Sequence, residues 1–203
     1  MKFKGRNLTL LLLVWLTALY PASLNCAIDN SGSSIVEAAR SQIGITITYD
    51  PSYRILAYPN GDVPLDRGVC TDVIIRALRS ALAMDMQKLV HEDMKDNMPE
   101  YPDNWGLKKP DKNIGHRRVP NLQTFFVRKG WALNVSNKAE DYQPGDFVTC
   151  IVPPHLPHIM IVSDRRNSDG RPLIIHNIGA GTKEEDRLFE FELTGHYRIG
   201  KIK

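Results

Sequence analysis

Cysteine is scarce in this 203-residue sequence: Cys26, Cys70 and Cys150 are its whole complement, and no two of them form a CxxC pair. An HExxH run is missing as well, so neither of the common zinc spacings is present. Lysine and arginine outnumber the acids by only 26 to 23 and are scattered, which leaves no basic stripe for nucleic acid. No apolar stretch reaches the ~20 residues that span a bilayer. Repeats and low-complexity tracts are absent too. What remains, at 42% hydrophobic and 24% charged residues, is one globular domain able to bury its own core.

The amino terminus carries the first positive signal. MKFKGRN holds Lys2, Lys4 and Arg6 without an acid, and the apolar LTLLLLVWLTAL follows before Tyr20-Pro21-Ala22. A basic start and an apolar core of roughly 12 residues fit a secretory signal peptide, expected over residues 1–27. If retained, the same segment is an N-terminal membrane tether. A periplasmic or secreted monomer is the expectation. Export leaves Cys70 and Cys150 in an oxidising compartment, where a bridge between them is the default. The context of each cysteine argues otherwise: Cys150 lies mid-strand in FVTCIV, as a buried inert thiol would.

Along residues 28–203 helical patterns come first and strand patterns second. Ser34-Ile35-Val36-Glu37 reads as a capping box opening a helix that closes on Gly44. ITITY and then SYRIL read as strands, followed by a turn-rich loop. A core helix is expected from Cys70, with Val73, Ala77 and Ala81 on one stripe and Ile74, Leu78 and Leu82 beside it. MDMQKLVHEDMKDN and PNLQTFFVRKG predict two more helices, separated by a long polar insertion at 98–120. GDFVTCIV, HIMIVSD, PLIIHNI, RLFEFEL and GHYRI read as strands joined by short turns, GAGTKEED and TG among them. The order predicts a single α+β domain, its early helix packed on an antiparallel sheet.

The chemistry centres on Cys70. A helix N-terminus and a neighbouring imidazole are the usual means of activating a thiol, and the unpaired N–H groups of a first turn suit an oxyanion. Of six histidines, His158 opens the strand IMIV and His176 ends PLII beside a glycine-rich turn, where a strand holds the ring and a loop leaves it open. Triad logic then makes Cys70 the nucleophile, His158 the base and His176 the group that orients His158.

YPNGDVPLDRGVCTD, YQPGDFV, HIMIV and IIHN, in this order, resemble the NlpC-type papain-like cysteine peptidases of bacterial cell walls. HIMIVSD through IIHNIGAG to TGHYRI is similar to a secreted proteobacterial family of unknown function within that fold group. The resemblance implies a papain-like domain that cleaves amide bonds through a thioester, with peptidoglycan stem peptides or another amide as substrate and no cofactor. Tyr58 and Gly61 match the family's Tyr-x-x-Gly, and Tyr58, Asp72 and Arg117 form the expected substrate-binding or supporting set. Val69-Cys70-Thr71-Asp72 replaces the family's Asp-Cys-Ser-Gly, and Met160 stands where a glycine is usual. The 98–120 insertion is expected to be either a solvated loop or a cleft wall or lid, the latter with Trp105, His116, Arg117 and Arg118 as candidates for an anionic or carboxylate-bearing substrate. Two other readings stand beside this one: a Cys/His zinc hydrolase, and a non-catalytic wall-binding protein on a peptidase scaffold.

Overall fold

The structure, a computed structural model, describes residues 31–200. The expected signal peptide at 1–27 lies outside the described residues. Among those described, no helix is long and apolar enough to cross a membrane.

Helix α1 (Ser31–Arg40) starts one turn before the expected capping box and buries Ile35, Val36 and Ala39. Its early start has a packing cause. A Cβ at Gly32 would lie 2.3 Å from the Pro144 carbonyl oxygen, so glycine lets this first turn press against the 144–145 bend. Of ITITY only β1 (Thr48–Tyr49) forms, in parallel with β2 (Arg67–Gly68). SYRIL is not a strand. Its polar groups are satisfied by the far loop instead: the Tyr53 hydroxyl donates to Asp111 at 3.0 Å, and the Leu56 N–H donates to Asn113 Oδ1 at 3.0 Å.

Helix α2 (Cys70–Leu82) begins at the expected residue. Helix α3 (Met86–Asp96) is capped by Asp85, whose carboxylate accepts from the Lys88 N–H, and α4 (Val119–Arg128) has Pro120 in its first turn, where the missing N–H costs nothing. Up to the start of α4 the 98–120 insertion holds only two short 3₁₀ turns, and the second is buried at His116 and Arg117.

The remaining strands build one antiparallel sheet in the order β3–β8–β4–β5–β6–β7. They are β3 (Ala132–Leu133), β4 (Phe147–Val152), β5 (Leu156–Arg166), β6 (Pro172–Asn177), β7 (Thr182–Glu185) and β8 (Glu192–Tyr197). Two expectations fail here. TKEE, expected as part of a turn, is β7, and β8 continues through Thr194-Gly195, expected as a break between strands, with only a bulge at Thr194. Gly195 is there for space: a Cβ would sit 2.2 Å from the Tyr197 hydroxyl. RLFEF folds instead as a bend that sends Leu188 into the core.

Alternation along β5 and β6 makes two cores. On one face Ile159, Ile161 and Ile175 meet Val73, Ile74 and Leu78 of α2 and Ile35 and Val36 of α1. On the other, Val148, Cys150, Met160, Val162 and Ile174 close over Tyr142 and Leu188. Each large aliphatic chain buried this way contributes about 1.5–3 kcal/mol. Cys70 belongs to the first core and Cys150 to the second, and both are free cysteines.

Candidate active site

Cys70 is the first residue of α2, and two other predicted residues hold that helix start. The Val69 N–H donates to Asp72 Oδ2 at 2.7 Å. Arg117 then clamps the same carboxylate, Nε to Oδ1 and Nη2 to Oδ2, both at 2.9 Å. Its remaining donors go to the carbonyls of Ser52 and Asp50, and the Thr71 hydroxyl donates to the Arg117 carbonyl. With side-chain exposures of 2% and 3%, Arg117 and Asp72 are an internal ion pair that ties the insertion to the thiol-bearing turn. Of the expected supporting set, these two position the helix.

Burial pushes the Cys70 thiol up to about 11. The Ile159 N–H opposes this, the charge of Asp72 adds to it, and the N–H groups of Thr71 and Cys70 itself work for the thiolate. The resting sulfur is therefore a protonated thiol, set against the backbone of β5 one residue past His158.

The two histidines meet as expected: His158 Nε2 lies 2.8 Å from His176 Nδ1. The structure adds a member that sequence reasoning missed. His176 Nε2 is 3.0 Å from Glu185 Oε2 in β7. A carboxylate only accepts, so His176 donates from Nε2 and its Nδ1 is left to accept. His158 must then donate from Nε2, which leaves the lone pair of its Nδ1 unshared and without a partner among the described residues. Burial, with His176 and Arg187 adding, pushes His158 down to about 3, and burial lowers His176 against the pull of Glu185. Both rings are neutral.

No hydrogen bond joins Cys70 to His158, which by alternation shares the face of Met160 and Val162. The neighbours make the connection: the Ile159 N–H faces the Cys70 sulfur, and Asn177 Nδ2, next to His176, donates to the Gly68 carbonyl at 3.0 Å. Thiol and imidazole thus share one end of β5 and β6, where the register of these strands has stopped at Ile161 and Ile175.

A cleft opens over Cys70, walled by Tyr49, Trp105, Arg118, Leu156 and Pro157. The tyrosine beside the thiol is Tyr49, in electrostatic contact with Cys70, and burial raises its hydroxyl to about 12. Tyr58 does not line this cleft. Its ring packs edge-on against His91 at 5.3 Å, under Lys112. His116, a candidate substrate contact, is buried, and burial pushes it down to about 3. Cys150 stands across from His158 in register but is sealed in the second core. Among the described residues no three histidine, cysteine, aspartate or glutamate side chains are placed to share a metal ion.

Residues 36–199 match the family described as a domain of unknown function (DUF1287), and the chain belongs to it. It is similar to the Escherichia coli (strain K12) protein titled "Uncharacterized protein YijF", 56% identical over 169 residues, which is 83% of this chain and 82% of that protein. No solved structure matches.

Proposed function

We propose that this DUF1287 protein is an exported cysteine peptidase or amidase of papain-like type, cleaving amide bonds in peptidoglycan stem peptides. One observation carries the reading: the line Glu185–His176–His158 ends on an unshared Nδ1 at the same strand ends against which the Cys70 sulfur rests. The leader-like amino terminus and the NlpC-type motifs support the compartment and the substrate.

The chemistry follows from the protonation states. Thiol and imidazole are both neutral at rest, so the proton moves during attack and not before it. Attack requires the Cys70 S–H to reach His158 Nδ1 around this end of β5, since the two side chains leave the sheet on opposite faces. His158 takes the proton as the sulfur bonds to the amide carbon, and the carbonyl pair becomes an oxyanion. The N–H groups of Cys70 and Thr71, which have no backbone acceptor, receive it. The C–N bond then breaks, and His158 returns its proton to the leaving amine. Water attacks the thioester, again giving its proton to His158, and the acid and free thiol are released. His176 and Glu185 stay out of bond making and hold the tautomer.

Wild type and Cys70→Ala incubated with purified sacculi test this. Soluble peptides that appear only with the thiol, at a rate at least ~10³-fold above the variant, are expected. Identical products from both proteins, or none from either, sink the hydrolase reading. Sedimentation of both proteins with sacculi in that second case points to the wall-binding alternative.

A further inference from the structure

Two adjacent arginines line the cleft over Cys70, and they are in opposite states. Arg117 spends its guanidinium on Asp72 and two carbonyls. Arg118 has no side-chain hydrogen bond and no ion pair, alone in this among the described arginines. Its one specific contact is with Trp105, whose ring centroid lies 4.8 Å from the guanidinium carbon. Stacking on an indole uses the face of the guanidinium and leaves its N–H edges open, the edges that hold a carboxylate with two parallel bonds. The backbone beneath is rigid, since Arg118 is the N-cap residue of α4 and follows the buried Arg117. No aspartate or glutamate lines the cleft to neutralise it.

We propose that Arg118, set over the Trp105 ring, is a carboxylate-recognising subsite of the Cys70 cleft, selecting peptides that carry a free carboxylate beside the reacting group. The subsite deepens the hydrolase reading above but is tested without turnover. It makes specificity depend on the residue just outside the Arg117 clamp: one arginine fixes the nucleophile's helix, and its neighbour reads the substrate.

The probe is a pair of thiol alkylators of nearly one shape, anionic iodoacetate and neutral iodoacetamide. Their rate constants at Cys70 are followed by mass, with Cys70→Ala as background. The ratio of the two within one protein cancels any change in thiol reactivity. We expect the iodoacetate-to-iodoacetamide ratio in wild type to exceed that in Arg118→Gln by about tenfold, or ~1.4 kcal/mol. Arg118→Lys falls between them, Trp105→Ala loses part of the preference, and raising salt from about 0.05 M to about 0.5 M shrinks it. Equal ratios in wild type and Arg118→Gln overturn the proposal. Should Arg118→Gln fail to fold, wild type alone decides: acetate must protect Cys70 from iodoacetate where acetamide does not, and no difference between them overturns it. A protein that releases nothing from sacculi yet shows the Arg118-dependent ratio loses the hydrolase reading and keeps the subsite; the reverse pattern does the opposite.

Discussion

His176 in β6 and His196 in β8 each meet a carboxylate through Nε2, Glu185 at 3.0 Å and Asp146 at 2.7 Å, yet the two networks end differently. Around His196 everything closes. Its Nδ1 meets the Asn134 carbonyl, Arg198 grips both oxygens of Asp146 at 2.6 and 2.7 Å, and the Tyr142 ring stacks on the imidazole at 4.3 Å. Burial opposes the charge on Asp146, but Arg198, His196 and the Gln143 N–H together outweigh it and hold its carboxyl below the usual range. Around His176 the line continues to His158 and stops at a lone pair. A closed network of buried polar groups holds a fold together. An open one keeps a proton acceptor in reserve, and under the proposed hydrolase reading that difference separates a structural histidine from a working one.

The contrast breaks if the two ends exchange behaviour. His158→Ala should slow peptide release from sacculi by ~10²–10⁴-fold per folded molecule, a loss beyond anything its effect on stability explains, read by product mass and calorimetry on the same sample. His196→Ala should do the reverse: it strips a partner from a carboxylate that is 1% exposed, costs ~2–3 kcal/mol, and leaves the rate per folded molecule intact. Glu185→Gln sharpens the comparison. Losing the charge that favours the imidazolium and fixes the tautomer should cut the rate by as much as ~10⁴-fold, the loss that follows when a triad carboxylate becomes an amide, and move the acidic limb of the pH profile lower. A Glu185 that merely braces the sheet would lower stability and leave that limb in place.

The last comparison concerns acid. His116 and His158 are both held neutral by burial, at about 3, whereas the unfolded chain takes up their protons near ~6.5. Their share of stability is whole above that value and is lost as pH falls from there toward the folded values. Each contributes a slope approaching ~1.4 kcal/mol per pH unit. Urea midpoints measured from about pH 7 down to about pH 4 should show it, and His116→Gln should lower the slope by up to ~1.4 kcal/mol per pH unit.

Much of this was legible in the residues, because the signals were local. The stripe after Cys70 marked a helix start, and His158 and His176 stood out as rings at strand ends. The sheet and its antiparallel sense followed from apolar runs and short turns. Glu185 was hidden because TKEE carries no apolar residue. A polar edge strand looks like a turn until its register places it beside His176. Tyr49 and Tyr58 exchanged places for a similar reason: a Tyr-x-x-Gly match says nothing about which tyrosine the parallel β1–β2 pair lifts to the thiol. Asp72 and Arg117 lie too far apart in sequence for any pattern to join them. Once joined, they turn a suspected substrate contact into scaffold.

Arg40 ties the far end of this arrangement. From the last turn of α1 its guanidinium reaches Ser163 and Asp164 in β5 and both oxygens of Glu184 in β7, at 3.2 and 2.8 Å for the latter. Strand β7 has a neighbour on one side only, and its next residue is Glu185. The outermost strand is thus riveted from behind by the first helix, with its backbone rim ringed by charges that discourage another chain from adding to the sheet. The alignment of Glu185 with His176 and the charged guard on the sheet's edge come from the same rivet, so a chain that loosens there would give up both together.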